Sequence, residues 1–204
     1  MTRMPGAIVA RLTCSLTLIV LLVGCGGADE PTARADTGAL SGKLTLTGSS
    51  TVAPLAGEIA RRFEQKHPGV RIDVQTGGSS RGIRDAASGA ADIGMASREL
   101  KDDETGLRTH PIARDGVCVI LHADNPVATL TDDQVIAIYT GEARNWKDLG
   151  GPDAPIVVVN KASGRATLEV FLAYFKLSEP QVQADVVIGD NMEGIKAVST
   201  NPNA

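Results

Sequence analysis

Three short polar runs carry the residues of this chain that could do chemistry. Gly48-Ser49-Ser50-Thr51, Gly77-Gly78-Ser79-Ser80 and the stretch from Asn160 to Arg165, which holds Lys161, combine small residues with hydroxyl or cationic side chains. Each stands between a strand-like pattern and a helix-like one. A helix start has unpaired N–H groups and a partial positive charge; Gly and Ser let an anion approach the backbone, and hydroxyls donate further bonds. The chemistry such loops support is anion binding. Ser50 and Thr51 taken alone read equally well as helix caps. Three donor-rich loops after three strand patterns suit an anion clamped between two bodies.

A fourth chemical feature is Cys25, which follows Leu22-Val23-Gly24 at the end of an apolar run from Leu12. Arg3 and Arg11 precede or open that run and no acid does, the layout of an export leader ending in small residues. The run is too short for a membrane span, which needs about 20 apolar residues. A thiol at the cleavage point is a lipid attachment site, so residues 1–24 are expected to be a lipoprotein signal and Cys25 the lipidated first residue of the mature chain. Cys14 would leave with the leader and Cys25 would be blocked, so no disulfide is expected. Cys118, inside Val117-Cys118-Val119-Ile120-Leu121, is expected to be a buried strand residue.

Charge and composition exclude other classes. The 204 residues carry a net charge of -4, and losing Arg3 and Arg11 from the 20 basic residues leaves 18 against 24 acidic ones. A mildly acidic product has no general attraction for nucleic acid. With 43% hydrophobic residues the chain can bury a core, but 3% aromatics give little for a stacking site. His67, His110 and His122 lack metal-ligand spacing, so no metal and no cofactor is assigned. No nucleophile stands with a positioned base, so an enzyme is not expected.

The loops require a scaffold, and the patterns supply one. Residues 25–42 are small, polar and aperiodic, a flexible tether. Lys43 to Thr47 alternates as a strand, and Val52, Leu55, Ile59 and Phe63 form one helical stripe ended by His67-Pro68-Gly69. Val70 to Val74 is a second strand, Arg81 to Ser88 a short helix, and Ala91 to Met95 a third strand. Thr109 to Ala113 and Val117 to Leu121 are expected to be further strands. Thr131-Asp132-Asp133-Gln134 has capping-box spacing before a helix, Ile156 to Val159 reads as a buried strand, and Ala166 to Lys176 as a helix. Strands alternating with helices predict an α/β fold with a largely parallel sheet, in two lobes: residues 43–118 and 119–204.

From Leu44 onward the chain resembles the phosphate-binding lipoproteins of bacterial ABC uptake systems, the PstS-like branch of the periplasmic binding proteins. The resemblance is carried in order by Gly48-Ser49-Ser50-Thr51-Val52-Ala53-Pro54-Leu55, by Gly77-Gly78-Ser79-Ser80 with Gly82-Ile83, by Ala91-Asp92-Ile93-Gly94-Met95-Ala96-Ser97-Arg98, and by Tyr139-Thr140-Gly141 with Asn145-Trp146-Lys147-Asp148-Leu149. It implies a two-lobed, type II-like periplasmic-binding-protein fold that closes on phosphate and delivers it to a membrane permease driven by an ATPase. It places the protein in the cell envelope, on the extracytoplasmic face, as a lipid-anchored monomer. In that family Thr51 and Val52 would supply a hydroxyl and an N–H, with Ser50 adjacent; the Gly-Ser-Ser loop would supply Ser79, with Ser80 beside it; and the second lobe would supply Lys161, Arg165, Ala166 and Thr167.

Two departures from the family pattern bear on selectivity. Gly164-Arg165-Ala166-Thr167 stands where many members have Gly-Ser-Gly-Thr, exchanging a hydroxyl for a guanidinium that can grip an oxyanion in bidentate fashion. Ser97-Arg98 stands where better-known members carry a carboxylate that accepts the proton of hydrogen phosphate. Sulfate, molybdate or another tetrahedral oxyanion is therefore the alternative ligand, and an anion-responsive sensor or interaction lipoprotein the alternative role. Simpler structural roles are also open: Asp92 as a backbone acceptor, Arg98 paired with Glu99, Arg165 paired with Glu169, and Tyr139, Trp146 and Phe171 as packing. Family members continue past the position of Ala204 with a strand and helices returning to the first lobe, so the fold is expected to be truncated at its C-terminus.

Overall fold

The computed structural model describes residues 39–204; the expected leader, Cys25 and most of the expected tether lie outside the described residues. β1 (Ser41–Gly48) is the central strand of a parallel sheet, with β2 (Gly69–Thr76) on one side and β3 (Ile93–Met95) on the other. α1 (Ala53–Lys66) joins β1 to β2, and α2 (Ser79–Ala87) joins β2 to β3. The chain leaves β1 toward one edge and returns past it to the other, so the loops after β1 and β3 flank a crevice at the carboxyl ends of the strands. α2 sits close to this sheet because Gly82 has no side chain: a Cβ there would lie 2.6 Å from the Thr47 carbonyl and 2.7 Å from that of Met95.

The stripe that α1 buries is not the one its larger residues predict. Ala56 and Ala60 are buried, whereas Leu55 and Ile59 are 46% and 52% exposed. Two small residues one turn apart bring the helix axis closer to the sheet than leucine and isoleucine would allow.

The expected strands at Thr109 to Ala113 and Val117 to Leu121 are absent: residues 107–121 carry no regular structure. Cys118 is exposed, as are Ile112, Val117, Val119 and Ile120, so the expectation that Cys118 is a buried strand residue is overturned. An alternating apolar sequence becomes a strand only where another backbone answers its N–H and C=O groups, and none among the described residues does so here.

In the part expected to be the second lobe, the first helix is α3 (Asp132–Thr140), whose capping box is formed as its sequence predicts: Thr131 Oγ1 accepts from the Gln134 N–H, and Gln134 Oε1 from the Thr131 N–H. β4 (Val159–Lys161) and β5 (Val186–Ile188) pair in parallel, with α4 (Ala166–Phe175) between them and α5 (Asn191–Ser199) after β5. The strand expected at Ile156 starts only at Val159, because the three preceding N–H groups have other acceptors. Ile156 donates to the Arg144 carbonyl, Val157 to that of Asn203 and Val158 to the Asp185 carboxylate. Ile156 and Val158 still reach the core, with Ile138, Ala143 and Trp146. Trp146 is 2% exposed and donates its indole N–H to the Asn203 carbonyl at 2.9 Å, tying residues 201–204 to this core.

Candidate functional site

The loops leaving β1 and β3 are joined at the crevice floor by serines. Ser49 Oγ accepts from the N–H groups of Thr51 at 3.2 Å and Val52 at 3.3 Å, and donates to Ser97 Oγ at 3.0 Å. The Ser97 N–H in turn donates to Ser79 Oγ at 3.1 Å. Ser49 and Ser79 are among the most buried polar residues of the described chain. α1, α2 and α4 all present N-termini without a side-chain cap from the N-cap residue. Their first-turn amides have no intrahelical acceptor and add partial positive charge.

The second lobe closes on this floor. Gly78 opens α2 at a φ of 94°, and a Cβ on it would lie 2.6 Å from the Gly164 carbonyl, so the glycine lets the α4 loop descend. The crevice that results is lined by Ser49, Ser50, Thr51, Gly78, Ser79, Ser97, Arg165, Ala166 and Thr167, which meet so closely that about 0 Å³ of cavity remains between them. Its lining offers hydroxyls, amides and one guanidinium, and no carboxylate is among those residues. Arg165 Nη1 lies 3.2 Å from Asp190 Oδ1, which holds the guanidinium by one nitrogen; Glu169 is not its partner.

The structure thus brings together Ser50, Thr51, Ser79, Ser97, Arg165, Ala166 and Thr167. Val52, Ser80, Arg98 and Lys161 stand outside the lining. Arg98 is 7% exposed and is held by acids: Glu104 at 2.7 Å and, across the lobes, Glu169 at 2.6 Å. It also donates to Ser80 Oγ, which donates to Glu169 Oε1 at 2.8 Å. Hydrogen bonds from Arg98 hold the Glu104 carboxyl down at about 2, and those to Glu104 raise the guanidinium further. The Lys161 ammonium donates to the Gly189 carbonyl and to Asn191 Oδ1, and burial followed by the nearby Arg165 lowers its pKa. Asp92 accepts from the Thr45 N–H at 2.7 Å, the structural role open to it.

Sequence reasoning missed Ser49, Glu104 and Asn191, and it offered Glu169 to Arg165 rather than to Arg98. Ser49 lies within the first polar run and could have been singled out, since a serine hydroxyl readily accepts from backbone amides two and three residues on. The other three meet their partners through tertiary contacts that no local spacing announces.

A profile of the PBP superfamily domain matches residues 32–204. The phosphate-binding protein PstS of Bacillus subtilis is 32% identical over 166 residues, covering 76% of this chain and 55% of that protein. A second relative, phosphate-binding protein PstS 2 of Streptococcus agalactiae, is 40% identical over 111 residues, covering 53% of this chain and 38% of that one. Among solved structures, a phosphate ABC transporter substrate-binding protein from Clostridium perfringens with bound phosphate superposes with a TM-score of 0.76 at 38% identity, covering 80% of this chain and 68% of that one. An ABC-type phosphate transport receptor from Vibrio cholerae gives 0.63 at 34% identity, covering 79% and 68%. The chain spans about half the length of the curated relatives it matches.

Proposed function

Because this chain belongs to the PBP superfamily, we propose that it is a solute-binding protein that captures inorganic phosphate between its two lobes for an ABC import system. The observation that carries this reading is the convergence of Ser50, Thr51, Ser79 and Ser97 from one lobe with Arg165, Ala166 and Thr167 from the other on one small crevice. Every group there can donate to an oxyanion, and a small separation of the two lobes would seat one among them. Binding rather than catalysis is the role, in keeping with the names its relatives carry. The export signal and Cys25 support extracytoplasmic placement on a lipid anchor, and the names of its relatives support a hand-over of the ligand to a permease and its ATPase.

A second reading follows from the lining. Hydrogen phosphate needs an acceptor for its proton, and with no carboxylate in the lining that acceptor is a neutral hydroxyl or carbonyl oxygen, so fully ionised sulfate or molybdate meets no repelling charge there. Calorimetric titration with phosphate and then sulfate at neutral pH decides between them. Tight phosphate binding unaffected by excess sulfate supports the phosphate receptor. Equal affinities make the site a general oxyanion receptor, and no heat from a folded chain refutes both.

A further inference from the structure

We propose that Lys161 and Asn191 together fix the hydroxyl of Thr51 as a donor to the bound anion, and that this setting exists only when the two lobes are closed. The proposal rests on the crevice being an oxyanion site.

A lysine ammonium has three N–H donors and no acceptor. That of Lys161 donates to the Gly189 carbonyl at 2.8 Å and to Asn191 Oδ1 at 2.9 Å. An amide anchored by its oxygen must present its nitrogen elsewhere, and Asn191 Nδ2 donates to Thr51 Oγ1 at 3.2 Å. The amide nitrogen cannot accept, so Thr51 Oγ1 receives this bond and its single proton stays free. Thr51 lines the crevice, where an oxyanion would be the acceptor for that proton. With the amide turned over, the hydroxyl would spend its proton on Oδ1 and aim a lone pair at the anion.

The two ends of the relay belong to different lobes. Thr51 precedes α1, whereas Asn191 is the first residue of α5 and Lys161 the last of β4. Opening the lobes removes Nδ2 from Thr51 and lets the hydroxyl rotate. Lys161 acts on the ligand at two removes, as a positioning residue.

The test is a double-mutant cycle on the full chain, read by calorimetric titration with inorganic phosphate, with the thermal midpoint of every variant checked against the unsubstituted chain. Asn191→Ala is expected to weaken phosphate binding about tenfold beside Thr51 and less than about twofold in the Thr51→Val background. Asn191→Asp, whose carboxylate accepts the Thr51 proton, is expected to bind more weakly than Asn191→Ala. Lys161→Met, which no longer anchors Asn191 Oδ1, is expected to weaken phosphate binding several-fold beside Thr51 and less than about twofold in the Thr51→Val background. Equal losses from Asn191→Ala in both backgrounds, with phosphate still binding the unsubstituted chain, overturn the relay and leave the oxyanion reading standing. If Thr51→Val binds too weakly to titrate, Asn191→Asp matching or exceeding Asn191→Ala overturns it instead. No heat from the folded, unsubstituted chain overturns the relay and the oxyanion reading alike.

Discussion

Arg98, in the loop after β3, and Glu169, in the first turn of α4, form an ion pair of 2.6 Å that joins the two lobes beside the crevice. Glu104 holds the same guanidinium from its own side at 2.7 Å, and Lys101 reaches Glu169 at 3.2 Å. The residue that sequence comparison sets at the ligand thus works as a bolt between lobes, bonding Ser80 as well.

The bolt predicts that two substitutions differ. Glu169→Gln leaves Glu104 on Arg98, so the thermal midpoint should move little while phosphate binds several-fold more weakly, because the closed form loses its charge pair. Arg98→Ala strands both acids and should cost on the order of 2 kcal/mol, less than the ~3–5 of a fully buried pair because both carboxylates reach water. Thermal unfolding with titration of each variant checks this; equal midpoints for the two would contradict it.

Gly78→Ala should act on closure and spare the fold. The added Cβ would press on the Gly164 carbonyl, from the opposite lobe, and the φ of 94° disfavours any side chain. Phosphate affinity should fall by about tenfold or more, with a stability loss of about 1–2 kcal/mol. Small-angle scattering should show a larger radius for the variant in the presence of phosphate.

Acid should release the same bolt. The Glu104 carboxyl is lowered from 4.5 to about 2 by hydrogen bonds from Arg98, so its stabilising contribution is present above 4.5 and is lost as pH falls toward 2. The midpoint difference between the native chain and Glu104→Gln should therefore be largest near neutrality and shrink through that window. A difference independent of pH would show that the carboxylate charge is not what matters.

The second lobe hangs on its single tryptophan. Trp146→Ala should destabilise by about 3–5 kcal/mol, from the cavity and the loss of the indole bond to Asn203. Trp146→Phe keeps most of the volume and should cost about 1–2 kcal/mol. Denaturant unfolding measures both, and an Ala variant no weaker than the Phe variant would deny Trp146 its place in the core.

Local chemistry was readable because it is written over a few residues. The capping box at Thr131 and Gln134, the polar run before α1 and the Gly-Ser-Ser start of α2 depend on backbone groups within one turn of the side chains that answer them. Those same runs carried the family resemblance and the donor-rich loops. Periodicity placed α1 to α4 but chose the wrong stripe of α1, because it weighs size, and Ala56 and Ala60 are buried for being small.

What the sequence alone determined is the alternation of strands and helices and the small, hydroxyl-bearing make-up of the loops that open α1 and α2, each a property of neighbouring residues. Tertiary structure alone decided that 109–121 forms no strand, since a strand needs a partner that its own sequence does not name. It also decided that Arg98 belongs to Glu104 and Glu169, and Lys161 to Asn191. A charged side chain is claimed by whichever opposite group the fold brings within hydrogen-bond reach, and that distance is set by packing.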